Sequence, residues 1–375
     1  MRVRIGDICT TFSGFTPAAA DLFPDGKYPY FKVAEMNREA NLRIMTETDS
    51  YVRESRKFFP KGAIVFPKNG AAIATNKKRI LGQDSIVDLN TGGIIANQDI
   101  IDTDYLYYIF QSIDFALFMR RGAVPTLDIK SILALEIDLP TIPNQQRIVA
   151  ELDILSDIME KKRVQLQTLD ELAGTIFYEM FGDPVSNDKK WITAKMGEVA
   201  PQKVYTGAIP AKGGKYWLLN LDMVESQTGR VLEKVLFSRT EIGNSTTTFN
   251  DENVLYSKLR PYLNKVVLPD EPGYCTSELV PLLPQKGVIN RIYLTYLLRN
   301  KFFVEYINAR VAGAKMPRVT MSDFREFDVI LPPIDMQESF ADRVCAIEKQ
   351  KKIINESLPL AKELFLSRMD KYFCI

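Results

Sequence analysis

The sequence predicts an α+β fold in which two similar globular units of mixed α/β structure are separated by two long helices. The helices are expected to pair as an antiparallel coiled coil, with pseudo-twofold symmetry. Three observations lead there. A long helical stretch occurs twice, beginning LPTIPNQQRIVAEL at Leu139 and LPPIDMQESFADRV at Leu331. Each copy carries a heptad row of apolar residues, and the segments ahead of them repeat more loosely as short strands and small helices. The expected boundaries are a globular unit over 1–138, a helix over 139–182, a second globular unit over 183–330 and a second helix over 331–375.

Taken in chain order, the globular halves share a set of landmarks. Ile5–Ile8 matches Met196–Val199, and Gly14–Ala18 matches Gly207–Ala211. Gly62–Lys68 reads like Asn253–Lys258, each a short strand ending in a lysine. Tyr105–Phe110 parallels Tyr293–Leu298 as an apolar helical segment, and GAVPTLDIKSILALEIDLP at 122–140 parallels 313–332, running from a glycine to a proline and on to a strand. Short strands rich in Val, Ile, Tyr and Phe, broken by Gly, Pro and Asn turns, indicate α+β units. Scaffold positions agree while the turns between them differ. That is the pattern of two readers of different ligands on one frame.

The helices are legible in detail. Ile148, Leu152, Leu155, Met159, Lys162, Leu166, Leu169, Ala173, Ile176 and Met180 step by alternating fours and threes, and only Lys162 is polar. The second row is Phe340, Val344, Ile347, Lys351, Ile354, Leu358, Ala361, Phe365, Arg368 and Tyr372. A 3.5-residue period held over this length gives a narrow seam that buries itself against another helix. Because the copies arose by duplication, each is the natural partner of the other. Pro140, Pro143, Pro332 and Pro333 disfavour helix before the runs, Asn144 and Asp335 are the expected N-caps, and Pro359 predicts a kink or restart near Ser357. A helix of about 36 residues is a rod of roughly 54 Å.

Composition narrows the chemistry. The chain has no histidine, which removes imidazole bases, His triads and His metal sites. Cys9, Cys275, Cys345 and Cys374 are scattered and form no zinc-binding pair. No phosphate loop is present: Lys212-Gly213-Gly214-Lys215 lacks the first glycine and the hydroxyl residue. Pro24-Asp25-Gly26-Lys27 reads as a turn rather than a nuclease motif. No apolar run reaches the ~20 residues of a membrane span, and MRVRIGDICTTF lacks a signal-peptide core, so cytoplasm is the expected compartment. No metal and no cofactor is expected.

The order of globular unit, helix, globular unit, helix resembles the specificity subunit of a Type I restriction-modification system. The resemblance is carried by the LPxI-x-x-Q string at 139–148 and 331–340, the Tyr178–Gly182 helix end, the strand-end lysines and the glycine-to-proline elements. It covers the whole chain, and copy two departs from it at Glu338, Phe340 and Pro359. It implies two target recognition domains, each contacting one half of a split, asymmetric site in double-stranded DNA. It also implies docking of two methyltransferase subunits, with motor and nuclease subunits joining for cleavage. No catalytic residue is expected in the chain itself.

Candidate DNA contacts follow from charge and position. In the first half these are Lys68, Asn69, Asn76, Lys77, Lys78, Arg79, Arg120 and Arg121; in the second, Lys258, Arg260, Lys265, Arg310, Lys315 and Arg318. The aromatic residues Tyr28, Tyr30, Tyr216 and Trp217 are read as core rather than as stacking platforms. The near balance of charge, 48 basic against 47 acidic residues, predicts weak, salt-sensitive binding by the chain alone. Two other classes fit less well: a coiled-coil adaptor that does not bind DNA, and an enzyme with a carboxylate or tyrosine site.

Overall fold

The computed structural model describes every residue except Arg121, 312–315 and 374–375. It divides into two compact units, Met1–Lys161 with Ser357–Ile375 (unit 1) and Lys162–Glu356 (unit 2). Unit 1 contains β1 (Arg2–Arg4), β2 (Cys9–Ser13), β3 (Tyr28–Phe31), β4 (Ile44–Met45), β5 (Tyr51–Val52), β6 (Ile64–Pro67), β7 (Arg79–Leu81), β8 (Ile86–Val87), β9 (Thr91–Ala96), α1 (Thr103–Ser112), β10 (Met119–Arg120), β11 (Thr126–Leu127), α2 (Ile129–Leu133) and β12 (Glu136–Asp138). The long helix α3 (Ile142–Phe181) starts there and continues into unit 2. Next come β13 (Thr193–Lys195), α4 (Met196–Val199), β14 (Lys215–Leu219), β15 (Leu236–Ser238), β16 (Thr246–Phe249), β17 (Val254–Ser257), β18 (Val266–Val267), β19 (Gly273–Thr276), β20 (Leu279–Leu282), α5 (Arg291–Arg299), α6 (Lys301–Asn308), α7 (Met321–Arg325), β21 (Asp328–Ile330) and α8 (Ile334–Tyr372).

Strand pairing repeats between the units. β1 pairs antiparallel with β12 in unit 1, as β13 does with β21 in unit 2. β3 lies between antiparallel β5 and parallel β8, and β14 between antiparallel β15 and parallel β19. The apolar strand Ile64–Pro67 is buried on both faces between β7 and β9, and Val254–Ser257 between β18 and β20. Continuous burial is why both strands read as unbroken apolar runs rather than as alternating ones.

The strongest repeat is a buried glutamine. Gln145 is fully buried; its side-chain oxygen accepts from the Asp102 N–H (2.8 Å) and its nitrogen donates to the carbonyls of Pro140 (2.9 Å) and Ile100 (3.2 Å). Gln337 repeats this with the Asn290 N–H (2.8 Å), the Pro332 carbonyl (2.8 Å) and the Val288 carbonyl (3.2 Å). Asp102 and Asn290 in turn cap α1 and α5 through their side chains. One amide thus ties the start of a long helix to the start of a domain helix in each unit. The Q of the LPxI-x-x-Q string exists for this bond set.

Helix packing is antiparallel within each unit. In unit 1, Ile148 and Leu152 share a core with Phe365, Met369 and Phe373, while Glu151 pairs with Arg368 (2.8 Å) and accepts from the Tyr372 hydroxyl (2.7 Å). In unit 2, the rings of Phe177 and Phe181 lie 5.6 and 5.4 Å from that of Phe340, and Lys351 pairs with Asp170 (2.6 Å). Among the seam residues, Ile148, Leu152, Phe340, Val344 and Ile347 are buried; Leu155, Met159, Leu166, Leu169, Ile176, Ile354, Leu358 and Phe365 are half-buried.

Three helix expectations need correction. Neither Asn144 nor Asp335 is an N-cap, because both lie inside the first turn: the helical bonds begin with Gln145 N–H to Thr141 (3.0 Å) and Gln337 N–H to Pro333 (3.2 Å). Pro143 fits at the second helical position, where an N–H has no partner anyway. The restart near Ser357 is absent, since α8 runs through Pro359 as one helix. A proline removes a single backbone donor, and its fixed φ lies within the helical range, so the remaining backbone bonds carry the helix through.

Candidate nucleic-acid interface

The strand-end lysines and the glycine-to-proline elements, far apart in sequence, are pinned together by the same backbone bonds in each unit. In unit 1 the Lys68 N–H donates to the Asn90 carbonyl (2.8 Å), the Lys68 carbonyl accepts from Leu127 N–H (2.9 Å), and Gly70 N–H donates to the Pro125 carbonyl (2.8 Å). In unit 2 the Lys258 N–H donates to Glu278 (3.0 Å), its carbonyl accepts from Val319 (2.8 Å), and Arg260 N–H donates to Pro317 (2.8 Å). After each lysine the chain turns through a left-handed residue, Gly70 (φ +80°) or Arg260 (φ +49°). A short 3-10 turn follows, and a left-handed asparagine, Asn76 (φ +54°) or Asn264 (φ +50°), closes it.

The turn gathers Lys68, Asn69 and Arg120 in unit 1, and Lys258, Arg260 and Arg318 in unit 2. Arg120 pairs with Asp128 (2.6 Å) beside the Thr126–Leu127 strand, and Arg318 pairs with Glu278 (3.0 Å). Asn69 donates to the Asn90 side chain (3.4 Å). Burial holds the Lys68 ammonium below the ordinary lysine range, with Asp88 opposing and nearby Lys57 adding to the depression. The Arg260 Nε is buried without a hydrogen-bond partner among the described residues. Arg310, exposed just beyond the end of α6, donates to the Tyr306 carbonyl (2.9 Å) and lies 3.5 Å from its ring centre.

The Asn76-to-Arg79 run requires correction. Lys78 is fully buried, and its ammonium donates to the Asn76 side chain (2.6 Å) and the Ile113 carbonyl (2.7 Å) while lying 4.1 Å from the Phe115 ring centre. Burial pushes it down to about 7. Arg79 is buried as well and donates to the carbonyls of Lys78 and Met36. Register gives the reason: Arg79 pairs with Val65 in β6 as Val267 pairs with Leu255 in β17, so Lys78 and Arg79 fill strand positions that unit 2 gives to Val266 and Val267. A charge run in sequence is here a core strand with its cations folded inward. Asn76 spends its oxygen on Lys78 and on the Phe115 N–H (2.9 Å). Lys77 donates to the Asn37 side chain, and Lys265, lowered by burial, donates to the Leu221 carbonyl (2.6 Å). Arg121 and Lys315 lie outside the described residues.

Tyr28, Tyr30 and Trp217 are core residues, and Tyr216 is half-buried. Lys57 was not among the sequence candidates; only its spatial approach to Lys68, across a loop with no periodic pattern, marks it. No group of metal-ligating side chains occurs among the described residues. No helix there is long and apolar enough to cross a membrane.

Two like α+β units, each with a basic strand-end turn and each packed on an antiparallel helix pair, define a duplicated binding scaffold. The chain belongs to the family of the Type I restriction modification DNA specificity domain, which matches residues 1–168 and again 188–360. It is 23% identical to the Type I restriction enzyme MjaIX specificity subunit of Methanocaldococcus jannaschii, over 82% of this chain and 76% of that protein. It is 21% identical to the EcoDI specificity subunit of Escherichia coli, over 99% of this chain and 87% of that protein. The fold is shared with the Type I restriction-modification S subunit from M. genitalium, at a TM-score of 0.63 and 14% identity, covering all of this chain and 96% of that one. It is also shared with a chain from a study of complex assembly and conformational transition in the type I system, at a TM-score of 0.55 and 18% identity, covering all of this chain and 97% of that one.

Proposed function

We propose that the chain is a sequence-reading adaptor for double-stranded DNA in a Type I restriction-modification complex. Each unit contacts one half of a split, asymmetric site, and the chain performs no bond chemistry of its own. The observation that carries this reading is the duplicated strand-end turn: identical backbone bonds hold Lys68 and Lys258, while the side chains and loops around them differ. Backbone and lysine contacts suit phosphates, which position a protein on the duplex, and the differing loops suit bases, which specify sequence. The domains are 1–138 and 183–330, and the helices are the docking surface for two methyltransferase subunits, with motor and nuclease subunits completing the cleaving complex. Apolar side chains left on the helix exteriors support docking: Ile154 and Leu360 in unit 1 are 61% and 65% exposed, and Ile353 in unit 2 is 66% exposed. The test is to reconstitute the chain with its methyltransferase and sequence the modified sites. Replacing residues 1–138 with the corresponding segment of a relative is expected to change one half-site and leave the other intact. A change in both halves, or modification without sequence preference, would overturn the reading.

A further inference from the structure

The stretch that follows the antiparallel edge strand, β5 or β15, differs between the units. In unit 1, residues 53–58 lead from β5 to Phe59, which bridges Ser85; in unit 2, residues 239–245 lead from β15 to β16, whose Phe249 pairs with Gly273. The unit 2 stretch opens a cleft of about 670 Å³, lined by Arg239, Asn244, Thr247 and Tyr274 among others. Val204 and Ile242 are its only aliphatic lining residues, so it is unsuited to an apolar small molecule. No carboxylate lines it. The loop's own acid, Glu241, is turned back onto Ser238, accepting from its N–H (2.8 Å) and its hydroxyl (2.6 Å).

The donors in the cleft are oriented and unspent. The Arg239 guanidinium lies 5.1 Å from the Tyr274 ring centre, and Tyr274 is braced edge-on by Tyr216 at 5.8 Å. That stacking fixes the arginine without using its five N–H groups. The hydroxyls of Thr246 and Thr248 donate to the carbonyls of Gly243 and Tyr205, whereas no such bond engages Arg239, Asn244 or Thr247 among the described residues. The cleft adjoins the strand-end turn: Ser277 N–H donates to the Ser245 carbonyl (3.1 Å), and the next residue, Glu278, accepts from Lys258 N–H. Phosphate oxygens only accept, so a phosphate site needs donors alone. One arginine among an amide and hydroxyls is instead the donor and acceptor mixture that base edges present.

We propose that this cleft reads base edges in the half-site of unit 2, with Arg239 directed at the two acceptors of a guanine and Asn244 at the donor and acceptor of an adenine. The inference rests on the function proposed above. The experiment uses the full chain with its methyltransferase and a randomised duplex library, comparing wild type with Arg239→Ala, Arg239→Lys and Asn244→Ala by sequencing the modified sites. Each alanine variant is expected to relax discrimination at one base pair of one half-site by roughly 10- to 100-fold, leaving the other half-site unchanged. Arg239→Lys, which loses the bidentate fork, is expected to fall between wild type and alanine. A uniform loss over all sequences with a shallower salt dependence would make Arg239 a phosphate contact and overturn the proposal, as would an unchanged sequence preference. Absence of sequence preference in the wild-type complex would instead sink the underlying DNA-reading function.

Discussion

The two strand-end turns make the most instructive comparison in the molecule. Both hold a lysine by paired backbone bonds and then pass through a left-handed residue, but unit 1 uses Gly70 there and unit 2 uses Arg260. The hydrogen-bonded anchors are therefore common property, while the local backbone differs: ψ is −175° at Gly70 and 64° at Arg260, a left-handed conformation that arginine adopts at a conformational cost. Unit 2 carries that cost in a residue whose guanidinium Nε is buried and unsatisfied among the described residues, the kind of strain that accompanies function. The same contrast recurs at β7 and β18, where Lys78 and Arg79 stand in register with Val266 and Val267. Position in the sheet, not residue type, decides whether a cation reaches solvent.

The largest effect is expected where the units are most alike. Gln145→Ala and Gln337→Ala each strand one buried N–H and two carbonyls, and each is expected to cost about 3–5 kcal/mol in denaturant unfolding of the full chain. If only one of them destabilised, the two clasps would not be equivalent. The turns come next. Gly70→Ala places a Cβ on a backbone with φ +80° and ψ −175°, a region reserved for glycine, and is expected to lose about 1–3 kcal/mol. Arg260→Gly is expected to gain a few tenths of that in stability while weakening recognition at the unit 2 half-site. A gain in both stability and recognition would show that the arginine is only strained.

Smaller effects test the proposed half-sites separately. Lys68→Ala and Lys258→Ala, assayed in the methyltransferase complex, are each expected to lower DNA affinity about tenfold and to flatten the salt dependence by about one ion, without altering sequence preference. Altered preference would move that lysine from phosphate to base. The smallest change in DNA binding is expected from Lys78→Val, which gives unit 1 the residue of unit 2. The Lys78 value of about 7 lies below the ordinary lysine value of 10.5, so between those pH values the unfolded chain holds the extra proton. The contribution of Lys78 to stability therefore rises with pH across that window and is level below it. Denaturation at pH 6 and pH 9 should show this rise in the wild type and its absence in the valine variant, with DNA affinity unchanged.

Much of this was legible in the residues themselves. The paired LPxI-x-x-Q strings mark the helix starts, and the heptad rows mark the seam, because a helix repeats its buried face at fixed intervals whatever it packs against. Phe177 and Phe181 fall off the row yet are more buried than Ile176 and Met180, since α3 also faces Tyr293 in the globular core of unit 2. A one-helix period cannot report a second neighbour. The strand-end lysines were found by their repetition, but the inward turn of Lys78 and the approach of Lys57 to Lys68 carry no sequence signal. Both depend on which strand lies alongside.

By itself the sequence determined the duplication and the order of units and helices, which follow from local periodicity and repetition, and the absence of imidazole chemistry, which follows from composition. Tertiary structure alone decided which cations face outward, that the strand-end lysines and the glycine-to-proline elements share one turn, and that the loop after β15 opens a cleft. Those outcomes rest on hydrogen bonds and packing between residues distant in the chain, where the identity of a side chain says nothing until its neighbour is known.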